Sequence, residues 1–73
     1  MRVTFLHQRL RQKRKEKHMS QELLAEQCNC SVRYLRDLER GVKCNLSASL
    51  LFQIITALDV SAEELMCIEE DNY

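Results

Sequence analysis

Helix breakers are almost absent from this chain, since its 73 residues include no proline and one glycine, Gly41. Good helix formers such as Leu, Glu, Lys, Arg, Gln and Ala are abundant in what remains. Apolar residues recur three or four positions apart, which is the spacing of one buried helical face. No strand pattern competes with that spacing. The sequence therefore predicts an all-α fold.

Capping residues divide the chain into five short predicted helices joined by tight loops. Serines that can accept a hydrogen bond from a free N–H of a first helical turn precede four of them, at Ser20, Ser31, Ser47 and Ser61. Glu64 completes a capping box with Ser61, and Gly41 is placed to end the third helix. The positions predicted to face inward are Val3, Leu6, Leu10, Leu24, Ala25, Cys28, Leu35, Leu38, Leu51, Ile54, Ile55, Leu58, Leu65 and Ile68.

The net charge of the chain is zero, but the charge is unevenly distributed. Residues 1–17 carry seven basic side chains against one glutamate, whereas residues 61–73 carry five acidic side chains and no basic one. Salt screens charges beyond about 8–10 Å, so the local field and not the total decides whether an anionic partner can bind. The basic stretch is equally compatible with a solvated helix face.

A chain of 73 residues has room for one small core. We expect a single domain over residues 1–73, with its core from about residue 3 to residue 68 and an acidic tail at residues 69–73. The N-terminal stretch lacks the apolar run of a signal peptide, and the longest apolar run, residues 50–52, is far too short to span a membrane. The sequence therefore predicts a cytoplasmic protein with reduced thiols and no membrane contact.

Residues 21–40 meet the physical requirements of a helix-turn-helix, which needs two short helices at a steep angle with a tight turn between them. Ala25 is small where the second helix must cross the first, and Asn29 tolerates the positive φ that the turn requires. Apolar side chains stand before, within and after the turn, at Leu24, Cys28, Cys30, Leu35 and Leu38. Such a motif presents its second helix to the major groove of DNA.

Four segments, LRQKRKEKHMSQELLAEQ, CNCS, LERG and ITALDVSAEEL, make residues from about 6 to 65 resemble the Cro/C1-type (XRE) family of helix-turn-helix proteins. The resemblance implies a compact, lambda-repressor-like bundle of five short helices. His18, Asn29 and Asp59 stand where the family usually has glycine. All three are polar types that visit the left-handed region at modest cost, so they lower stability without contradicting the fold.

The resemblance implies that the third helix enters the major groove of double-stranded DNA, with Gln21, Ser31, Val32, Arg33, Arg36, Asp37, Arg40 and Lys43 as the DNA-binding residues. Arg33 is the first candidate for a base contact, because bidentate arginine–guanine pairing is the commonest specific contact. Val32 is suited to a thymine methyl group, and Ser31 to a base edge or a phosphate. Asp37 must accept from a cytosine amino group or be neutralised by a nearby arginine.

Positioning roles follow from the same resemblance. Gln21, Arg40 and Lys43 are expected at the phosphate backbone, where contacts fix the register without reading sequence. Arg14 and Glu39 match a family ion pair that joins the first and third helices. We expect that pair to fix the recognition helix against its scaffold.

Cys28 and Cys30 are separated by one residue, whereas a zinc site uses Cys pairs two to four residues apart. The other possible ligands are scattered, at Cys44, Cys67, His7 and His18. The resembling family places Leu and Val at positions 28 and 30, so we interpret the two thiols as small packing groups. No metal and no cofactor is expected.

We expect a transcription regulator that binds a palindromic operator as a homodimer through its fourth and fifth helices, with repression and activation both open. One glycine cannot build a glycine-rich phosphate loop, and so small a bundle offers little cleft for a Cys–His pair, so an enzyme is not expected. No second domain for ligand sensing and no small-molecule ligand is expected. The alternative is a protein-interaction module of the same fold, antitoxin-like or a regulatory partner of another protein, with Leu23 as an exposed apolar contact.

Overall fold

The computed structural model describes residues 2–42 and 46–69 of the chain. Its elements follow in the order β1 (Arg2–Phe5), α1 (His7–Glu16), α2 (Gln21–Gln27), α3 (Val32–Glu39), α4 (Ala48–Leu58), a single 3-10 turn (Ala62–Glu64) and β2 (Met66–Glu69). Helices dominate, as the sequence predicts, but two strands accompany them. Residues 70–73 of the predicted acidic tail lie outside the described residues. None of the described helices has the length and apolar surface that crossing a bilayer requires.

The prediction of a fifth helix is wrong. The Ser61 N–H does donate to the Glu64 carboxylate at 2.8 Å, but the turn that this contact begins is a 3-10 turn of three residues. The chain then extends into β2, which pairs antiparallel with β1 and sets Met66 opposite Phe5. A capping contact specifies only the first turn of a helix. Here the next residues find their hydrogen-bond partners on another strand, so the helix does not continue.

The first helix begins later than predicted. Val3 lies in β1, where it pairs with Ile68, and α1 starts only at His7. Leu6 separates the two elements, and its N–H donates to the Leu65 carbonyl at 2.8 Å. The two ends of the described chain are therefore joined by backbone hydrogen bonds at the start of α1.

The predicted serine caps of α2, α3 and α4 are confirmed. Each serine has an extended backbone, and its hydroxyl oxygen accepts from the N–H three residues later. The three donors are Leu23 to Ser20 at 3.0 Å, Tyr34 to Ser31 at 3.0 Å and Leu50 to Ser47 at 3.1 Å. Such a cap satisfies one of the free N–H groups at a helix start and contributes about 0.5–2 kcal/mol.

All four α-helices of the described chain end in the same way. A left-handed residue follows each one, namely His18 (φ 57°), Asn29 (φ 55°), Gly41 (φ 78°) and Asp59 (φ 55°). The next residue in each case donates its N–H to a carbonyl five positions back, at 2.9 to 3.2 Å, which is the Schellman motif. The prediction that His18, Asn29 and Asp59 adopt this conformation is confirmed, although only one of the four positions is glycine.

The core lies where the inner faces of the four helices meet the turn before β2. Its buried members are Leu10, Leu24, Ala25, Cys28, Leu35, Leu38, Ile54, Leu58 and Leu65, all of which were predicted to face inward. Leu51 and Ile55 are half-buried and pack against this core. Because α3 contributes Leu35 and Leu38, its inner face is fixed and its outer face is turned to solvent.

Candidate nucleic-acid interface

The helix-turn-helix predicted for residues 21–40 is formed by α2 and α3. Ala25 of α2 is only 2% exposed, in the core that the two helices share. The left-handed Asn29 reverses the chain after α2, and the Cys30 N–H closes that turn on the Ala25 carbonyl at 3.0 Å. α3 begins one residue later, at the Ser31 cap. The turn therefore fixes where the outer face of α3 starts.

A buried ion pair fixes the other end of α3. The Arg14 guanidinium donates from Nε to Glu39 Oε2 at 2.6 Å and from Nη2 to Glu39 Oε1 at 3.1 Å. The Nη1 atom of Arg14 donates to the Met19 carbonyl at 2.7 Å, so the same side chain also holds the α1–α2 loop. The pair expected from the family resemblance is thus confirmed. It ties the last turn of α3 to α1.

Gln21 belongs to the same network. Its Nε2 atom donates to Glu39 Oε1 at 3.1 Å, which gives that oxygen two donors. The side chain is half-buried at the start of α2. Gln21, expected at a phosphate, is therefore held beside the last turn of α3, and its contact with Glu39 is one that its family role did not suggest.

The exposed surface of α3 carries one part of the expected site. Ser31, Arg33, Tyr34 and Asp37 surround a shallow depression of about 200 Å³, and we call these four residues the reading face. Arg33 is exposed, and Ser31 still has its hydroxyl proton to donate after accepting the Tyr34 N–H. Asp37 forms no ion pair with any basic side chain that the structure describes. The reading face thus offers an arginine, a hydroxyl and a carboxylate within one depression.

Arg36 and Arg40 line a second concavity. It is a groove between α3 and α1 that Gln21 also lines, and neither arginine lines the depression of the reading face. Val32 differs again, because it is half-buried and packs against the core. Lys43 lies outside the described residues. Of the expected DNA-binding residues, Ser31, Arg33 and Asp37 therefore line the depression on α3, and Gln21, Arg36 and Arg40 line the groove beside it.

Sequence reasoning missed the opposite wall of that groove. Arg11 and Lys15 of α1 face Arg36 and Arg40 of α3 across it, and we call the groove the basic groove. The signal was present in the excess of basic residues between positions 1 and 17 and in the four-residue spacing of Arg11 and Lys15. The packing of α1 beside α3 could not be predicted from these local signals.

The thiols behave as packing groups. Cys28 is buried, and burial together with the neighbouring Cys30 raises the pKa of its thiol from 9.0 to about 11. Cys30 is half-buried, and burial raises the pKa of its thiol as well. A raised pKa leaves little of the reactive thiolate at neutral pH. Among the residues that the structure describes, no group of three or more His, Cys, Asp or Glu side chains is placed to hold a metal ion.

Comparison with known families gives a match across most of the chain. The model of a family described as helix-turn-helix matches residues 10–65. The HTH-type transcriptional regulator SinR of Bacillus subtilis is 39% identical over 59 residues, which make up 81% of this chain and 53% of SinR. SinR of Bacillus licheniformis matches with the same identity and coverage. The chain thus spans about half the length of the curated relatives it matches.

Solved structures agree with the sequence comparison. A crystal structure of SinR, the master regulator for biofilm formation, in complex with DNA has a TM-score of 0.76 and 37% identity, covering 81% of this chain and 97% of that chain. The restriction-modification controller protein C.AhdI from Aeromonas hydrophila has a TM-score of 0.73 and 38% identity, covering 80% of this chain and 86% of that chain. Each likeness covers about four fifths of this chain.

Proposed function

This chain belongs to the Cro/C1-type (XRE) family of helix-turn-helix proteins, and from that membership we propose that it is a sequence-specific DNA-binding transcription regulator. The observation that carries the proposal is the way α3 is held. Its inner face is buried through Leu35 and Leu38, and its last turn is tied to α1 by Glu39, which leaves Arg33 exposed on a helix held along its opposite face. A rigid helix that presents an arginine is what major-groove recognition requires.

In the proposed complex, α3 lies in the major groove with the reading face toward the base edges. Arg33 donates to N7 and O6 of a guanine, a pairing that discriminates by about 1–3 kcal/mol. Asp37 accepts from a cytosine amino group, and its place beside Arg33 in one depression supports two adjacent base contacts. Ser31 and the exposed part of Val32 complete this contact at the first turn of α3.

Phosphate contacts come from a different part of the surface. We assign them to Gln21, Arg36 and Arg40, which share the basic groove, and to Lys43 in the loop after α3. Such contacts position the protein on the duplex and carry no sequence information. We assign no catalytic step and no cofactor to the chain, since its relatives are named as regulators.

A homodimer is the second part of the proposal. One small module buries only about 600–1,000 Å² on DNA, so two copies bound to one palindrome raise both affinity and specificity. The expected interface through the fourth and fifth helices has to be redrawn, because the fifth helix is a single turn. Phe52 on the outer side of α4 is 66% exposed, and we place the dimer contact around it. The two copies of α3 would then read half-sites about 10 bp apart.

The DNA-binding proposal is tested by titrating a fluorescent library of palindromic duplexes at several salt concentrations. We expect tight, salt-dependent binding to a small set of sequences. Arg33→Ala should lose about 1–3 kcal/mol of binding free energy on the preferred duplex, and it should accept more bases at one position of each half-site. The matched control is Arg9→Ala, which removes the same charge from an exposed position on α1 away from the reading face. It should leave the base preference unchanged.

Two outcomes would contradict the proposal. Equal affinity for every duplex, or no binding to any duplex in low salt, would favour the alternative of a protein-interaction module. Leu23, which is 40% exposed on α2, would then be an apolar contact for the partner protein. An Arg33→Ala protein with an unchanged base preference would remove α3 from its assigned role. Thermal melts of both variants confirm that any difference in binding is not caused by unfolding.

The dimer is tested separately by sedimentation equilibrium without DNA. Phe52→Ser should shift the population from dimer to monomer and lower the affinity for a full palindrome, with little effect on a single half-site. Val42→Ser is the matched control, because Val42 is 64% exposed, is also apolar, and lies after α3 and not on α4. A Phe52→Ser protein that sediments like the parent would place the dimer contact elsewhere.

A further inference from the structure

The basic groove is a concavity of about 1020 Å³ between α1 and α3. Arg11 and Lys15 line it from α1, and Arg36 and Arg40 line it from α3, with all four side chains exposed. Each pair is four residues apart on its helix, so its two members lie on the same face one turn apart. Four cations thus face each other across one groove.

These four cations have no counter-charge in the described part of the chain. None of them forms an ion pair there. Glu39 also lines the groove, but it is 6% exposed and its carboxylate is already bound by Arg14 and Gln21. The groove therefore has a net positive field that its own acidic residue does not cancel.

The other side of α1 is different. Lys13 lies 3.2 Å from a carboxylate oxygen of Glu64 and 3.7 Å from one of Glu16, so it has acidic neighbours within the protein. Like charges four residues apart destabilise a helix by about 0.2–0.5 kcal/mol per pair. The two pairs in the groove carry that cost without internal compensation, which is expected of a surface that meets an external anion.

We propose that the basic groove binds the phosphate backbone of the duplex beyond the segment that α3 reads, with Arg11 and Lys15 as additional phosphate-binding residues. This inference rests on the proposed function. The shared chemistry is that of phosphate oxygens, which a free phosphate compound also offers. A duplex fits better, because the cations are spread along two helices in an open groove, and a DNA strand presents a continuous row of phosphates. Arg36 and Arg40 place that groove directly beside the face of α3.

The test compares two charge-matched double variants. R11Q/K15Q removes both α1 cations of the groove, and R9Q/K17Q removes two exposed cations from the same helix and its C-terminal cap that do not line it. Both variants lower the net charge by two, so long-range attraction to DNA changes equally. Each protein is titrated against the preferred palindrome in two forms, one with long flanks and one trimmed to the segment read by α3, between 50 and 200 mM salt.

On the long duplex, R11Q/K15Q should lower the slope of log K against log[salt] by about 1.8 per bound protomer relative to R9Q/K17Q, since each lost phosphate contact contributes about 0.9. Over a fourfold range of salt, that difference is about tenfold in affinity. On the trimmed duplex the two variants should behave alike. Neither should change the base preference, because no reading-face residue is altered.

The inference is overturned if the two variants have the same slope on the long duplex. The proposed function would survive that result, provided that Arg33→Ala still relaxes the base preference. The opposite failure, a parent protein without any preferred duplex, would reject the proposed function itself. A third arm titrates inorganic pyrophosphate without DNA. If pyrophosphate binding were lost in R11Q/K15Q alone while flank length had no effect, the groove would bind a free phosphate compound and not the duplex.

Discussion

The guanidinium of Arg14 and the carboxylate of Glu39 form two hydrogen bonds, at 2.6 and 3.1 Å, that join α1 to the last turn of α3. Their side chains are 10% and 2% exposed, so the pair lies almost entirely out of water. A buried ion pair adds little net stability compared with apolar residues, but an unpaired buried charge is very unfavourable. The pair therefore matters chiefly for the position of α3.

Removing one partner of the pair should cost much more stability than removing both. Glu39→Ala leaves the Arg14 guanidinium buried without its carboxylate, and we expect a loss of about 3–5 kcal/mol in the free energy of unfolding, measured with urea. Arg14→Met combined with Glu39→Leu should recover much of that loss, because neither charge remains. Gln21→Ala, which deletes one hydrogen bond to Glu39, should cost only about 0.5–1.5 kcal/mol. A Glu39→Ala protein as stable as the parent would show that the pair is solvated in solution.

Replacing the left-handed residues after the helices by glycine should raise the stability of the fold. Asn29 and Asp59 have φ of 55°, a region that costs glycine nothing. Asn29→Gly and Asp59→Gly should each stabilise the fold by up to about 1 kcal/mol in thermal melts, because the left-handed penalty of an L-residue, about 1–2 kcal/mol, exceeds the extra entropy cost of glycine, about 0.5–1 kcal/mol. The gains should add because the two turns are separate. Asn29→Ala is the control and should destabilise. If the glycine variants melt at or below the parent temperature, the side chains of Asn29 and Asp59 make contacts that offset their backbone strain.

Much of this fold was predictable because its signals are local. The serine caps at Ser20, Ser31 and Ser47 and the left-handed positions at Asn29 and Asp59 each depend on a few neighbouring residues. The buried positions follow from the helical spacing of apolar residues in the same way. The strands could not be predicted on these grounds, because β1 and β2 have four residues each and pair across more than sixty residues of sequence.

The candidate site was predictable in part for the same reason. Arg33 on the outer face of α3 follows from the helical period, because it lies two positions before Leu35 and five before Leu38 on the inner face. The groove that Arg36 and Arg40 line depends on where α1 packs, which is a tertiary fact. The contact of Gln21 with Glu39 is likewise tertiary, since the two residues are eighteen positions apart in the chain.

Gly41 is the one position after a helix where glycine is already present. Its φ is 78°, and a methyl group at Cα would lie 3.0 to 3.1 Å from the ring atoms of His7. Gly41→Ala should therefore destabilise by more than about 1 kcal/mol, from backbone strain and from displacement of the His7 ring. The double variant with His7→Ala should recover only the steric part. Equal stabilities of the parent and Gly41→Ala by urea unfolding would contradict this account.

Glu64 gives the fold an acid-sensitive contact. The Ser61 N–H, followed by the nearby Lys13 ammonium, holds the pKa of the Glu64 carboxyl below its ordinary value of 4.5. The ionised form is thus favoured in the folded state, so its contribution is present above the unfolded pKa and is lost as the pH falls through the lowered folded pKa. Glu64→Gln should be less stable than the parent at pH 7, and the gap should narrow as the pH falls below 4.5. Melting curves that stay parallel from pH 7 to pH 3 would contradict the assignment.

Cys28 should make the fold sensitive to alkali. Burial first, and the neighbouring Cys30 second, raise the pKa of its thiol from 9.0 to about 11. The unfolded chain therefore loses this proton at lower pH than the folded chain does. The contribution of the Cys28 thiol to stability is thus fully present below pH 9 and is lost as the pH rises toward 11. Cys28→Ala should be less stable at neutral pH because of the small void, but its stability should fall less between pH 9 and pH 11. Alkylation with iodoacetamide at pH 8, followed by peptide mass spectrometry, should modify the exposed Cys67 before the buried Cys28. Modification of Cys28 as fast as Cys67 would mean that the helix-turn-helix opens readily in solution, because Cys28 is only 1% exposed while α2 and α3 stay packed.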